Sequence, residues 1–243
     1  MQMIKEKTYE QMGARAAAII AEVIQKKENP VLGLATGSTP ISTYQSLIQL
    51  YENGSLDFSK VTSVNLDEYK GLSGDNDQSY RYFMNHNLFD HVNIDKTKTF
   101  VPNGLEADSA KACSDYDKII NEVGQIDIQV LGLGLNGHIG FNEPADHFPK
   151  TTHCVDLTQS TIDANSRFFE TMDEVPKQAY TMGIQTIMSA KTILVLVNGS
   201  AKADIVKEAF FGPITPQVPA SILQLHDNVI LVGDEEALSK IAE

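Results

Sequence analysis

The stretch IDIQVLGLGLNGHIGFNEP, residues 126–144, decides the fold that this sequence predicts. Residues 126–131 have the length and the β-branched content of a buried strand. The apolar run then stops at glycines, and four polar residues follow within eight positions: Asn136, His138, Asn142 and Glu143. These side chains are expected just past the carboxyl end of a strand, which is the edge at which open α/β sheets bind ligands.

Strands and helices alternate on both sides of this stretch. Further strands are predicted at residues 30–35, 61–66, 152–157, 192–197 and 228–232. Helices are predicted at residues 8–28, 41–52, 79–89, 106–123, 180–189, 202–211, 219–225 and 234–242. This order predicts an α/β fold of three layers, in which helices flank a mostly parallel open sheet in a Rossmann-like arrangement. No linker interrupts residues 1–243, so we expect a single domain.

The first candidate for ligand binding is the turn that follows the strand at residues 30–35. Gly37, Ser38 and Thr39 form a Gly-Ser-Thr sequence, and Pro40 stands near the start of the next helix. Backbone N–H groups and two hydroxyls would converge there, which suits a phosphate. No Gly-Lys-Ser/Thr sequence follows, so the turn is not a P-loop. The alternative is an ordinary helix cap by Ser38 or Thr39.

Two adjacent acids, Asp67 and Glu68, follow the strand at residues 61–66. Side chains alternate along an extended backbone, so only one of the two can face the ligand crevice. The other is expected to turn away or to cap a neighbouring element. A pair of solvated loop acids is the simpler alternative.

Two basic residues are candidates for the same edge of the sheet. Lys202 follows the strand at residues 192–197 and a second Gly-Ser turn, in the first turn of a helix. Arg167 would reach the edge if the chain after Leu157 folds back. A lysine so placed can meet an anion, although a solvated helix lysine is the alternative for Lys202.

The spacing Gly-x-Gly-x-x-Gly at residues 132–137 matches the dinucleotide fingerprint, and Asp156 lies at about the expected distance beyond it. The fingerprint requires a helix that starts within the glycines and receives the pyrophosphate. Residues 138–149 instead contain a glycine and two prolines without a helical apolar period. The pattern therefore does not indicate a nicotinamide or flavin cofactor.

Composition excludes several classes of function. The net charge of −13, without a basic stripe, argues against binding to nucleic acid. No apolar run approaches the roughly 20 residues that cross a bilayer, and no signal peptide is recognisable, so we expect a cytoplasmic protein without membrane contact. Cys113 and Cys154 lack metal-type spacing and are expected as free thiols. One histidine with dispersed acids likewise does not indicate a metal site.

The candidate residues fall into two chemical groups. The hydroxyls and backbone amides of the first turn, with Arg167 and Lys202, suit a phosphate through charge-assisted hydrogen bonds. Asp67, together with a His138 that Glu143 supports, suits proton transfer better than metal binding or acyl transfer.

Five motifs of the chain resemble those of glucosamine-6-phosphate deaminases. They are ATGSTP at residues 35–40, LDEY at 66–69, GHIGFNEP at 137–144, NSRFF at 165–169 and NGSAKA at 198–203. The similarity runs in order from about residue 30 to residue 232. LDEY together with GHIGFNEP is specific, because 6-phosphogluconolactonases share a glycine-rich Gly-His loop without the FNEP continuation.

The resemblance implies conversion of glucosamine 6-phosphate and water to fructose 6-phosphate and ammonia, without a metal or other cofactor. By similarity, Asp67 would move a proton from C2 to C1, His138 would open the sugar ring, and Glu143 would orient and polarise His138. Ring opening and enolisation take place at different atoms, which is why two separate groups are expected. The phosphate contacts that it implies are Gly37, Ser38, Thr39, Arg167 and Lys202.

Two departures from the family pattern affect these expectations. Asn136 stands where some members have an aspartate in a relay with the histidine and the glutamate. An amide keeps the hydrogen bonds but cannot titrate, so we expect Asn136 to support the catalytic group. Residues 145–152 and the C-terminus do not resemble the allosteric site of the longer, hexameric members. A monomer that N-acetylglucosamine 6-phosphate does not activate is therefore expected.

Two other functions are weighed against this one. Some transcriptional regulators use the same fold as a sugar-phosphate sensor, but no helix-turn-helix precedes residue 30. Such a sensor would also not need Asp67, His138 and Glu143 together. A lactonase or a pentose-phosphate isomerase on this fold would not need LDEY with FNEP.

Overall fold

A sheet of seven parallel strands lies at the centre of the computed structural model, which describes residues 1–158, 162, 171 and 174–241. The strands are β1 Gln2–Glu6, β2 Val31–Leu34, β3 Thr62–Asn65, β4 Asp67–Tyr69, β5 Thr99–Phe100, β6 Ile128–Gly132, β7 His153–Asp156, β8 Gln178–Thr181, β9 Ile193–Val197 and β10 Val229–Asp234. The helices are α1 Tyr9–Lys26, α2 Ile41–Glu52, α3 Tyr80–Asn87, α4 Ser109–Val123, α5 Ile184–Met188 and α6 Ala203–Phe211. In the described part of the chain, no helix is long and apolar enough to cross a membrane.

The strand order of the central sheet determines where the crevice lies. This order is β1-β10-β9-β6-β2-β3-β5, and all its pairings are parallel. From β2 the chain builds one half of the sheet through β3 and β5, and it then returns to β6 to build the other half. The loops after β2 and β6 therefore diverge from adjacent strand ends, which is the topological switch point at which open sheets bind ligands.

The core forms because the central strands are continuous apolar runs. Every residue of β2 and β9 is buried, as expected for parallel strands covered on both faces. α1 contributes an apolar stripe at helical spacing, with Met12, Ala16 and Ile20 fully buried in the same cluster. The predicted α/β fold, a mostly parallel open sheet flanked by helices, is thus confirmed.

A small antiparallel sheet of order β4-β8-β7 continues directly from the central one. Only Leu66 separates β3 from β4, so Asp67 and Glu68 are strand residues. In the pairing of β4 with β8, Thr181 lies opposite Asp67 and Tyr180 lies opposite Glu68. Both acids are buried, so the alternative of solvated loop acids is wrong.

One predicted helix is correct only in its second half, and another is wrong. In the predicted helix at 180–189, residues 178–181 instead belong to β8, and α5 begins only at Ile184 because Gly183 has extended backbone (φ −76°, ψ 164°). The predicted closing helix at 234–242 is a series of turns over residues 235–240. Asp234 ends β10, and its carboxylate accepts the N–H groups of Ala237 at 2.8 Å and Gly199 at 2.9 Å, which favours a turn there.

Candidate active site

A cavity of about 590 Å³ opens at the switch point, between the loops that follow β2 and β6. Every predicted site residue that the structure describes lines this cavity: Gly37, Ser38, Thr39, Asp67, Asn136, His138, Glu143 and Lys202. Arg167 lies outside the described residues. Side chains from distant parts of the sequence therefore meet at one edge of the sheet, as their positions after parallel strands predict.

The loop after β2 lines the cavity, and Tyr9 holds it in place. Gly37 has a φ of +90°, in the left-handed region that other residues avoid. The Tyr9 hydroxyl donates to the carbonyl of Ser38 at 2.6 Å and accepts the N–H of Ser42 at 3.1 Å. Tyr9 thus holds both the loop and the first turn of α2. The N-cap of α2 is Pro40, so the alternative of a plain cap by Ser38 or Thr39 is wrong.

His138, Asn136 and Glu143 form one hydrogen-bonded group. The Nδ1 atom of His138 lies 2.8 Å from Oδ1 of Asn136 and 3.2 Å from Oε1 of Glu143. The amide of Asn136 in turn donates to Oε2 of Glu143. Both neighbours of Nδ1 are acceptors, so Nδ1 carries the proton and the lone pair of Nε2 stays free. The group can therefore accept and return a proton at Nε2.

The charge of Glu143 is stabilised within this group. Burial acts to raise the pKa of the Glu143 carboxyl. The hydrogen bonds from His138 and Asn136, together with the charge of a protonated imidazole, outweigh burial and lower that pKa. Glu143 consequently remains a carboxylate that can orient His138 and stabilise its protonated form.

Glycines of the apparent dinucleotide fingerprint make room for the ring of His138 and form the tight loop that carries it. A Cβ on Gly134 would lie 2.4 Å from both Cε1 and Nδ1 of His138 and 2.5 Å from Cδ2. The N–H of Gly134 donates to the carbonyl of His138 at 2.9 Å, which closes a tight loop. Gly137 adopts a φ of +83° in this loop. No helix starts within the glycines, so the structural context of a dinucleotide site is missing.

Asp67 reaches the cavity from β4 and is only 6% exposed. Burial, with the negative charge of neighbouring Glu68 as a smaller cause, raises the pKa of Asp67 to about 8. Once it is ionised, a carboxylate with such a pKa is a stronger base than an ordinary aspartate. Gly140 has a φ of +58°, and a Cβ there would lie 2.9 Å from Oγ1 of Thr181, so the absence of a side chain lets this loop approach β8 beside Asp67.

Lys202 supplies a cation on the other side of the cavity. It ends a short 3₁₀ helix, Ser200–Lys202, directly before α6, and its Nζ donates to the carbonyl of Leu133 at 2.5 Å. Burial lowers the pKa of this amine. The N–H groups of Gly199 and Ser200 donate to Asp234 and Glu236. Because these two N–H groups are already hydrogen-bonded, the second Gly-Ser turn contributes a lysine to the cavity and not backbone donors.

The sequence did not single out the aromatic wall of the cavity. Tyr80 and Phe141 line it, with ring centroids 6.1 Å apart and planes at 6° to one another. The Tyr80 hydroxyl donates to the hydroxyl of Tyr69 at 3.1 Å. A helix was predicted at residues 79–89, but the helical period alone does not say which side chain faces a ligand. Thr158 also lines the cavity and had no sequence signal.

Among the described residues, no group of three or more His, Cys, Asp or Glu side chains is arranged to hold a metal ion. Cys113 and Cys154 are free thiols, as expected from their spacing. The groups that the cavity does bring together suit acid–base chemistry.

Comparison with known sequences gives full-length matches. The profile of the family described as glucosamine-6-phosphate isomerases/6-phosphogluconolactonase matches residues 4–232. The chain is 56% identical to a glucosamine-6-phosphate deaminase of Clostridium perfringens (strain 13 / Type A), over 98% of both chains. It is 49% identical to a glucosamine-6-phosphate deaminase of Thermoanaerobacter sp. (strain X514), over 100% of this chain and 96% of the other.

Solved structures agree with these matches. A monomeric glucosamine-6-phosphate deaminase superposes with a TM-score of 0.94 at 46% identity, over 99% of this chain and 100% of the other. The 6-phosphogluconolactonase of Thermotoga maritima shares the fold, with a TM-score of 0.74 at 17% identity over 96% of this chain and 97% of the other. The chain therefore belongs to the family of glucosamine-6-phosphate isomerases and 6-phosphogluconolactonases.

Proposed function

We propose that this protein converts D-glucosamine 6-phosphate and water to D-fructose 6-phosphate and ammonia, as a glucosamine-6-phosphate deaminase. One observation carries the proposal: the cavity holds two separate proton-transfer groups, Asp67 and the His138 cluster, beside a loop and a lysine that suit a phosphate. The relatives at 49–56% identity over nearly the full chain are named for this activity.

Ring opening is assigned to His138. Its free Nε2 takes the proton of the anomeric hydroxyl and returns a proton to the ring oxygen, which breaks the bond between C1 and the ring oxygen. Glu143 and Asn136 hold the Nδ1 proton and keep the imidazole in one tautomer. The product of this step is the open-chain amino aldehyde.

Isomerisation is assigned to Asp67. Its carboxylate removes the proton on C2 and delivers it to C1. The aldehyde oxygen gains one proton and the ammonium nitrogen loses one, so C1 becomes an alcohol and C2 becomes an iminium carbon. Water adds to the iminium carbon, and ammonia leaves to give the ketone. The raised pKa of Asp67, about 8, makes it a stronger base than an exposed aspartate and so favours removal of a carbon-bound proton.

The phosphate is assigned to the loop of Gly37, Ser38 and Thr39 and to Lys202, with Arg167 as a further predicted contact. Gly37, with a left-handed backbone, lines the cavity with Ser38 and Thr39, whose N–H and hydroxyl groups suit phosphate oxygens, and the lysine adds a charge-assisted bond. Binding of phosphate would draw the Lys202 amine away from the carbonyl of Leu133.

We further propose that residues 1–243 act as one catalytic domain, as a monomer, in the cytoplasm. A monomeric deaminase with 46% identity supports the oligomeric state, and two free thiols fit a reducing compartment. Light scattering should give the mass of one chain. Activation by N-acetylglucosamine 6-phosphate, or a stable hexamer, would contradict this proposal.

The activity is tested by supplying glucosamine 6-phosphate and measuring ammonia and fructose 6-phosphate. We expect both products in equal amounts. Asp67→Asn should lose turnover and exchange of the C2 proton with solvent while it retains substrate binding. Loss of binding with intact exchange would refute the assignment of Asp67, and a wild-type protein that binds the substrate without forming either product would indicate a sensor.

The phosphate assignment is tested separately with Lys202→Ala. We expect KM to rise on the order of tenfold with little change in kcat, because a phosphate contact acts in both ground and transition states. Lys207→Ala, which removes an exposed lysine from the adjoining helix α6, is the matched control and should leave KM unchanged.

A further inference from the structure

Glu68 is a buried carboxylate that the proposed reaction does not use. It is 2% exposed and follows Asp67 in β4. Because side chains alternate along a strand, Glu68 points away from the cavity, and it does not line it. A buried acid is costly unless it is hydrogen-bonded, so its partners indicate what it does.

Three backbone N–H groups donate to the Glu68 carboxylate. Oε1 accepts from Tyr69 at 2.8 Å and from Tyr80 at 2.9 Å, and Oε2 accepts from Arg81 at 2.9 Å. Tyr80 and Arg81 are the first two residues of α3, and their N–H groups have no partner within the helix. Glu68 therefore caps α3 from a different element of the chain. Burial raises the pKa of its carboxyl to about 7, although the three N–H groups act to lower it, so Glu68 is ionised where Asp67 titrates.

The guanidinium of Arg81 is not the main partner of Glu68. It donates to the hydroxyl and to the carbonyl of Thr99, both at 2.7 Å, and so contacts β5. The Glu68 side chain consequently joins β4 to α3 through hydrogen bonds to backbone N–H groups and not through a close ion pair with Arg81. β4 carries Asp67, and the first residue of α3 is Tyr80, whose ring lines the cavity.

We propose that Glu68 is a positioning residue, which fixes Asp67 relative to the ring of Tyr80 through its two hydrogen bonds to the backbone of α3. This inference rests on the proposed deaminase function. A shift of about 1 Å in a reacting group is enough to cost on the order of 10²-fold in rate, so loss of these two bonds is expected to lower kcat.

The charge of Glu68 has a second effect, which a purely structural residue would not have. It adds to burial in raising the pKa of Asp67. The other titratable groups around the two acids are Tyr80 and Arg81 from α3, Tyr116 from α4, and His138 across the cavity. The test leaves all of these unchanged.

The experiment compares Glu68→Gln and Glu68→Asp with the wild-type enzyme, by kcat, KM and the pH profile of kcat/KM. Glu68→Gln keeps the shape but loses the charge and one acceptor. We expect kcat to fall on the order of tenfold or more, and the acid limb of the profile to move about one unit towards lower pH because Asp67 ionises more easily. Glu68→Asp keeps the charge but cannot reach α3, so kcat should fall with the acid limb unmoved.

Asp127→Asn is the matched control. Asp127 is also buried and accepts a backbone N–H, that of Val31 at 2.9 Å, but it lies at the opposite end of β6 from the cavity. The Asp127→Asn change should lower stability without changing kcat or the pH profile.

If both Glu68 variants behave like Asp127→Asn, Glu68 is only structural and the inference is wrong. If the wild-type enzyme forms no ammonia, the proposed function fails instead. If Glu68→Gln does not fold, an unchanged kcat in Glu68→Asp is sufficient to overturn the inference.

Discussion

The imidazole ring of His138 lies face-on against Gly134, so closely that a Cβ on this glycine would come within 2.4–2.5 Å of three ring atoms. Real Cβ atoms do not approach other atoms to such distances, so the ring position depends on the absence of a side chain at residue 134. The hydrogen bonds from Nδ1 to Asn136 and Glu143 fix the same ring from its edge.

Gly134→Ala should therefore displace His138 and slow ring opening. We expect kcat to fall on the order of 10²-fold and the free energy of unfolding to fall by about 1–3 kcal/mol. The control is Gly212→Ala at the end of α6, where a Cβ would lie 2.4 Å from the carbonyl oxygen of Glu208. That variant should lose stability but not kcat. Equal kcat values for the two variants would contradict the role of Gly134.

The glycines of this loop show which features of the site could be predicted from the sequence and which could not. Their spacing matched a cofactor fingerprint, and only the missing helix argued against it. The true requirement at residue 134, room for an imidazole ring, is a tertiary contact that no spacing reveals. The polar residues that follow each long apolar strand were predictable, because parallel strands deliver their carboxyl ends to one edge.

Short and exposed elements were less predictable than the central strands. β1 is an edge strand with an exposed, mixed sequence, so its pairing with β10 leaves little apolar pattern. β4 and β8 have three and four residues, too few to show a period. Asp67 was therefore placed at the correct edge, while its pairing with Thr181 could not be foreseen.

Asn136 makes hydrogen bonds to His138 and Glu143 but cannot itself gain or lose a proton. Its Oδ1 accepts from His138 and its amide donates to Glu143. Asn136→Asp would replace that donor by a second carboxylate beside Glu143, and such a pair retains a proton at higher pH than either acid alone. We expect kcat to stay within about tenfold of wild type, with an additional ionisation in the pH profile of kcat.

Asn136→Ala is the companion change, since it removes both contacts. We expect kcat to fall on the order of tenfold across the pH range, while binding of an open-chain alditol analogue of the substrate stays at the wild-type level. Calorimetry of that analogue is the measurement. Weakened binding of the open-chain compound would show that Asn136 contacts the substrate chain rather than supporting His138.

Tyr9 offers a test of the loop after β2 that leaves its own residues unchanged. Its hydroxyl donates to the carbonyl of Ser38 and accepts the N–H of Ser42. Tyr9→Phe removes both bonds, so the loop should lose its fixed geometry. We expect KM to rise several-fold, and the inhibition constant of inorganic phosphate to rise in parallel, with kcat within about twofold. Tyr51→Phe, at the far end of α2, is the control and should change neither constant.

The raised pKa of Asp67 predicts a dependence of stability on pH. The folded-state pKa of about 8 exceeds the unfolded value of about 3.9, so the folded chain binds more protons between these limits. The contribution of Asp67 to stability is therefore lost progressively as pH rises from about 4 to about 8. An asparagine at residue 67 does not titrate, so the variant does not lose stability in this way as pH rises.

Asp67→Asn should consequently gain stability relative to wild type as the pH rises, by about 1 kcal/mol or more between pH 5 and pH 8 in urea unfolding. Asp127 gives the opposite case for comparison. Burial acts to raise its pKa, but hydrogen bonds from Lys191, Lys27 and the N–H of Val31 outweigh burial and lower it. Asp127 is thus ionised in both states above about pH 5, and Asp127→Asn should lose stability by an amount that does not vary between pH 5 and pH 8. A difference between Asp67→Asn and wild type that is equally flat would mean that Asp67 ionises as an ordinary exposed aspartate does.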